Sequence, residues 1–151
     1  NYEQSNRIPI IISAPGITKA GSVTHQLTET VDIYPTLASL AGLPVPNPSQ
    51  PIDGLDMTPV LKDGKKRIRD YAYHSYPKSG RSSRAIRSDR YRLVEWVSNE
   101  SGETVYELYD YEKDPLETVN VAATDLKALE KMKALLDNEP AAKKQVSRRR
   151  R

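Results

Sequence analysis

Cysteine and phenylalanine are both absent from the 151 residues, and tryptophan occurs once. Without cysteine the chain has no disulfide, no thiolate metal site and no cysteine nucleophile, although this does not identify the redox compartment. Without Phe, a core must be built from aliphatic residues and from nine Tyr, so it is modest. Histidine is scarce: there are two, His25 and His74, and His25 has no Cys, His or paired carboxylate nearby at ligand spacing, which makes it a surface residue. No apolar run reaches the roughly 18 residues that a membrane span requires, so no membrane partner is expected. Gly-rich phosphate loops, a GxSxG elbow and HExxH are missing too.

The length suits one domain or a piece of a larger one. The formal net charge of +3 is concentrated at the end, in Lys143, Lys144 and Arg148 to Arg151, and the body is slightly acidic. A run of this kind is expected to be a solvated, disordered tail over 138–151; its alternative use is to grip an anionic glycan or nucleic acid.

Along the chain, Arg7 to Ser13 (RIPIIIS) reads as a buried strand closed by Ala14-Pro15-Gly16, with Pro9 confining it to an edge or a strand start. Asp32 is placed to cap a helix with Pro35 in its first turn, Gly42 as its stop, and Ile33, Leu37, Leu40 and Ala41 on one face. Leu43 to Pro59 holds too many prolines for a helix or long strand and reads as an ordered loop or linker. Four segments favour strands: Tyr71 to Tyr76, Ser83 to Arg87, Tyr91 to Val97 and Glu103 to Asp110. The SNESG stretch between the last two predicts a hairpin. Thr124 or Asp125 can cap a final helix whose stripe of Leu126, Leu129, Met132, Leu135 and Leu136 would cover one sheet face.

Two stretches raise the question of chemistry. In YELYDYEKDPLETVNVA, residues 106–122, Asp110, Glu112, Asp114 and Glu117 are spaced much like calcium-loop ligands. The sixth and twelfth positions from Asp110, however, are Pro115 and Val121 rather than the Gly and bidentate Glu that a loop needs. The carboxylates therefore read as turn residues bonding to backbone N–H groups. In YHSYPKSGRSSRAIR, His74, Tyr76, Lys78, Arg81, Arg84 and Arg87 form a cationic, hydrogen-bonding cluster suited to sulfate, phosphate or carboxylate groups. This cluster is the strongest ligand-contact candidate. Asn99-Glu100-Ser101 fits a glycosylation sequon, a short pattern that arises easily by chance.

The ordered set RIPIIISAPG, TVDIYPTLASLAGLPVP, IDGLDMTPVL, AIRSDRYRLVEW and ELYDYEKDPLETVNVA resembles the C-terminal part of type I sulfatases over roughly residues 1–137, and most of all the iduronate-2-sulfatase branch. The resemblance implies an α+β fold: the C-terminal fragment of an alkaline-phosphatase-like fold, with a four-stranded antiparallel sheet packed on a C-terminal helix. Residues 1–60 would be the last strand and helix of the large α/β domain plus a Pro-rich connector, 61–137 the C-terminal subdomain, and 138–151 the tail. It also implies hydrolysis of a sulfate ester by a formylglycine made within a C/S-x-P-x-R motif, with a calcium ion held by Asp and Asn. Neither group is expected on this chain, because the motif is missing here and the catalytic Lys of relatives sits a few positions before the segment matching Asn1-Tyr2-Glu3. The chain alone should then hydrolyse nothing, with the upstream sulfatase domain as its partner. Its role would be to shape the rim that selects a sulfated carbohydrate, through His74, Tyr76, Lys78, Arg81 and Arg84, and with less weight on Arg87, which matches a recurrent family Arg. Periplasmic, secreted or lysosomal settings accord with the resemblance. The alternative is a non-catalytic binding module for an anionic glycan or nucleic acid, nucleic acid being the less favoured.

Overall fold

The computed structural model describes residues 1–44, 49 and 51–142. The chain divides into two units, one made of Asn1–Ile8 with Tyr73 onward, the other of Pro9–Ala72. The first eight residues of the expected segment 1–60 thus group with the sheet. They do so through side chains, since the Tyr2 hydroxyl donates to Glu107 (2.9 Å) and the Glu3 carboxylate pairs with Arg92 (2.5 Å). The proposed basic tail lies largely outside the described residues.

In the first unit, strands β1 (Ala72–Ser75), β2 (Arg81–Arg87), β3 (Tyr91–Ser98) and β4 (Thr104–Asp110) form a four-stranded sheet in the order β1-β2-β3-β4. β2 pairs antiparallel with β3 and β3 with β4, with Ser83 opposite Trp96 and Val94 opposite Glu107. Gly102, at φ +75°, closes the β3–β4 hairpin and donates to Ser98 O (3.0 Å), as the SNESG stretch predicts. Because side chains alternate between faces, this register sorts them into two sets. Ile86, Leu93 and Leu108, all fully buried, face the last helix, α4 (Leu126–Leu136), which packs on β2 and β3. Ser83, Ala85, Arg87, Arg92, Val94, Trp96 and Glu107 face the other way.

Asp125 caps α4 by accepting from Ala128 N (3.1 Å). The buried side of α4 is Ala128, Met132 and Leu136, at spacings of four, while Leu126 is 62% exposed. The predicted leucine stripe thus contributes its C-terminal half. Beyond β4, Asn120 Oδ1 accepts from Leu108 N (2.9 Å) and Val121 N donates to Leu108 O (2.8 Å), so the returning chain covers part of the edge strand.

The second unit contains a 3₁₀ turn (Thr30–Asp32), α2 (Ile33–Leu40) and α3 (Thr58–Lys62). Asp32, with no exposed surface, accepts from Glu29 N (2.7 Å) and Leu55 N (2.8 Å) and pairs with Arg69. Asp32 thus flanks α2 as expected, but its carboxylate holds the loops and caps no helical N–H. Thr36 Oγ1 donates to Asp32 O (2.6 Å) and accepts from Met57 N (2.8 Å), which turns the Pro35-Thr36-Ala38 side of α2 inward. Leu37 is 57% exposed, so the apolar face expected from Ile33, Leu37, Leu40 and Ala41 is not the buried one. Gly54 passes so close to Val31 that a Cβ would sit 2.0 Å from its carbonyl oxygen. The Pro-rich stretch is partly outside the described residues, and its end begins α3, with Pro59 in the first turn where a missing N–H is harmless.

Residues 7–13 form no strand, and Ile11 is 92% exposed. A strand needs a hydrogen-bonding neighbour, and the segment has none among the described residues; the expectation of a buried strand is corrected on that ground.

Candidate functional site

The sheet face opposite α4 carries the N-terminal segment, whose single helical turn α1 (Glu3–Asn6) contains no buried residue and so owes its place to side-chain bonds. Arg92, 1% exposed, is their centre. Its guanidinium donates to Tyr111 Oη (2.7 Å), Asn1 O (3.1 Å) and Glu3 Oε2 (2.5 Å), and lies 2.8 Å from Glu117 Oε1. Glu117 also accepts from Glu3 N (2.8 Å) and from the Tyr111 hydroxyl. Burial pushes the Tyr111 phenol well above its usual range, and the Glu117 carboxylate adds to that, so it stays a donor. Glu117 itself sits at φ +57°, an uncommon position for a residue with a Cβ. The Asn1 side chain bonds to Ser83 Oγ on β2.

His74 lies beside this segment. Asn6 Nδ2 donates to Tyr2 O (2.9 Å) and lies 3.3 Å from His74 Nε2. The first bond fixes which end of the amide carries hydrogens, so Nε2 is the acceptor and His74 is neutral. Desolvation, then the nearby Arg92 charge and the chain's amino terminus, lower its pKa to about 4, against a backbone bond with Asn1 that opposes them.

Of the predicted cluster, the structure brings His74, Tyr76, Lys78 and Arg81 to β1 and the turn after it. Tyr76 is 62% exposed. Lys78 and Arg81 are exposed and have no carboxylate partner among the described residues. A depression of about 420 Å³ is lined by Lys78, Ser79, Arg81, Trp96 and Glu107. A second hollow, of about 310 Å³ among Tyr2, Gln4, Tyr109, Leu116 and Glu117, has no cationic lining.

Arg84 and Arg87 have other tasks. Arg84 is one register step from Arg81 in parity and faces α4, where its Nε donates to Glu95 (2.6 Å) and its Nη1 to Leu136 O (3.0 Å) and Glu139 O (3.1 Å). It satisfies carbonyls at the negative end of the helix, which is a scaffold role. Arg87 pairs with Glu3 (3.3 Å) and stacks 3.8 Å over the Tyr111 ring. Both guanidiniums are thus engaged by contacts within the fold.

The acidic run is equally committed. Asp110 takes two bonds from Arg90 (2.9 and 2.8 Å), Asp114 Oδ2 accepts from Thr118 N (2.5 Å) and Val119 N (2.8 Å), and Glu117 belongs to the Arg92 network. Among the described residues no group of His, Asp and Glu is placed to hold a metal ion. The carboxylates of this run do not fit a calcium site.

Sequence reasoning missed Arg92, Glu3, Glu117 and Tyr111, which orient the segment, and Trp96 and Glu107, which line the depression. The strand alternation that puts Trp96 on the face of Ser83 and Arg81 was the available signal.

Residues 1–145 match the family model for the C-terminal region of N-sulphoglucosamine sulphohydrolase, and the chain belongs to this family of sulfatase C-terminal domains. It is 34% identical to human arylsulfatase A over 90% of this chain and 32% of the relative. It is 35% identical to a Delta 4,5-hexuronate-2-O-sulfatase of Bacteroides thetaiotaomicron, over 91% of this chain and 29% of the relative. Among solved structures, that of BT4656 in complex with its substrate D-glucosamine-2-N,6-O-disulfate superposes with a TM-score of 0.70 at 30% identity, covering 82% of this chain and 26% of the other. The chain spans a third or less of the length of these proteins. The α+β arrangement of a four-stranded antiparallel sheet with helices is the C-terminal part of the alkaline-phosphatase-like sulfatase fold.

Proposed function

We propose that the chain is the C-terminal part of a sulfatase that hydrolyses a sulfate ester of a sulfated sugar, with iduronate-2-sulfatase-like preference, and that it shapes the substrate rim without supplying the catalytic groups. The observation that carries this reading is a neutral His74, an exposed Tyr76 and two cations without a carboxylate partner among the described residues, Lys78 and Arg81, gathered beside the locked N-terminal segment. Similarity to a hexuronate-2-O-sulfatase supports the uronate preference. Calcium and the formylglycine belong, in this reading, to an upstream domain. A cationic rim attracts a polyanionic sugar by steering and by pairing with its sulfate or carboxylate.

The test measures turnover of a chromogenic aryl sulfate, and then of 2-O-sulfated and 6-O-sulfated sugars, with calcium present. The 151-residue chain should show none, and the chain joined to the upstream region should turn over with preference for the 2-O-sulfated uronate. Turnover by the chain alone removes the division of labour; preference for a 6-O-sulfate removes the finer specificity.

A further inference from the structure

We propose that the depression floored by Trp96 is a binding subsite for an anionic sugar unit adjoining the one that carries the scissile sulfate, so the preferred ligand is an oligosaccharide. This deepens the sulfated-sugar reading above but requires no catalysis.

The turn from β1 into β2 supplies the first argument. Lys78 and Arg81 exchange both backbone bonds (3.0 and 3.0 Å), and the two residues between them, Ser79 and Gly80, have φ of +52° and +73°. That is the two-residue hairpin geometry in which both central residues need positive φ, a conformation that Gly accepts freely and Ser does not. The tight pairing sets Lys78 and Arg81 directly opposite each other on one face. Like charges so placed repel and destabilise the hairpin, and no carboxylate among the described residues neutralises them. A strained turn that holds two uncompensated cations together is the arrangement an anion stabilises. The turn is also braced: Asn99 N donates to Gly80 O (2.9 Å), and Ser82 Oγ donates to Asn99 Oδ1 (2.7 Å). The cations are thus held in place before a ligand arrives, which lowers the ordering cost of binding.

The floor supplies the second. Trp96, opposite Ser83 on the neighbouring strand, is half-buried, and its indole N–H has no acceptor among the described residues. An aromatic plane suits the C–H face of a pyranose. Glu107 Oε2 accepts from the Tyr2 (2.9 Å) and Tyr109 (3.2 Å) hydroxyls, which leaves Oε1 as the acceptor for sugar hydroxyls. The volume, about 420 Å³, lies in the range of small-ligand sites.

Trp96 is the sole tryptophan, so its emission reports this floor directly. The full chain is titrated with a sulfated chondroitin tetrasaccharide, its unsulfated counterpart, maltotetraose and an oligothymidylate of similar length. The sulfated tetrasaccharide should change Trp96 emission saturably and weaken with added salt, while maltotetraose and the oligothymidylate leave it unchanged. Binding of the unsulfated form within about threefold assigns the cations to the carboxylate; a larger loss assigns them to the sulfate. Lys78→Gln with Arg81→Gln should weaken binding at least tenfold with an unshifted emission maximum, and a charge-matched control on α4, Lys127→Gln with Lys131→Gln, should bind as the native chain does. The proposal is overturned if the tetrasaccharide does not perturb Trp96, if maltotetraose or oligothymidylate binds equally well, or if the α4 control loses as much affinity as the turn variant. Absence of turnover by the parent enzyme would end the catalytic reading and leave this result standing.

Discussion

A neutral imidazole at His74 ties one residue to the pH response of the sheet. Its Nε2 accepts a hydrogen bond from the Asn6 amide, so protonation there would set two donors against each other beside Arg92. The folded-state pKa, about 4, lies below the ordinary 6.5, so the unfolded chain binds the extra proton first as pH falls. Stability from this group is present above about pH 6.5 and is lost between 6.5 and about 4. The loss amounts to at most about 3 kcal/mol. Urea titrations from pH 7 to 4 on the native chain and on His74→Gln should therefore show the native chain losing stability relative to the variant as pH falls from about 6.5 to about 4. The carboxylates of Glu3 and Asp110, whose pKa values are lowered mainly by Arg87 and Arg92 in one case and Arg90 in the other, act in the next window down. Parallel curves for the two proteins across that range would show that His74 titrates like a solvated histidine.

Much of the element level was legible in the sequence. The alternating Tyr and Val segments located all the strands, and Asp125 marked the start of α4, because these signals are local. The network holding α1 was not legible, since Arg92 meets Glu3 across 89 positions and an arginine between apolar residues reads as solvent-facing. The same locality holds at the cluster: the cations are visible as composition, but parity along β2 sends Arg84 to the helix side and Arg81 to the open side. Arg92→Met tests the element that depends on this network. It leaves the buried Glu117 carboxylate without its cation and Glu3 with Arg87 alone, which costs about 3–5 kcal/mol. Hydrogen exchange should show Asn6 and Arg7 amides losing protection before those of β2 and β3. Combining it with Glu117→Gln should restore most of the stability, because Glu3 keeps Arg87 and no charge is then stranded. A loss below about 1 kcal/mol for Arg92→Met alone would mean that the segment is held by something else.

At the scale of the whole chain, the conspicuous departure from a self-contained protein is apolar exposure in the Pro9–Ala72 unit. Ile11 is 92% exposed, Leu37 57% and Tyr34 55%. Single exposed apolar residues are ordinary, but here they come from the strand-like RIPIIIS run and from the apolar side of α2, two segments whose sequence is patterned for burial. The RIPIIIS run was read from sequence as a buried strand because its composition describes an environment that the described residues do not supply. Such surface favours association. Sedimentation velocity over a concentration series should show the native chain self-associating, and Ile11→Ser with Leu37→Gln should reduce that association. Both side chains are exposed, so the pair should change the unfolding midpoint little, within about 0.5 kcal/mol for each site. Joining the chain to the upstream domain proposed above should suppress association without either substitution, since the apolar side chains would then have a covering surface. A native chain that stays monomeric throughout the series would show that these side chains are tolerated in water, and the case for a missing covering surface would fall with it.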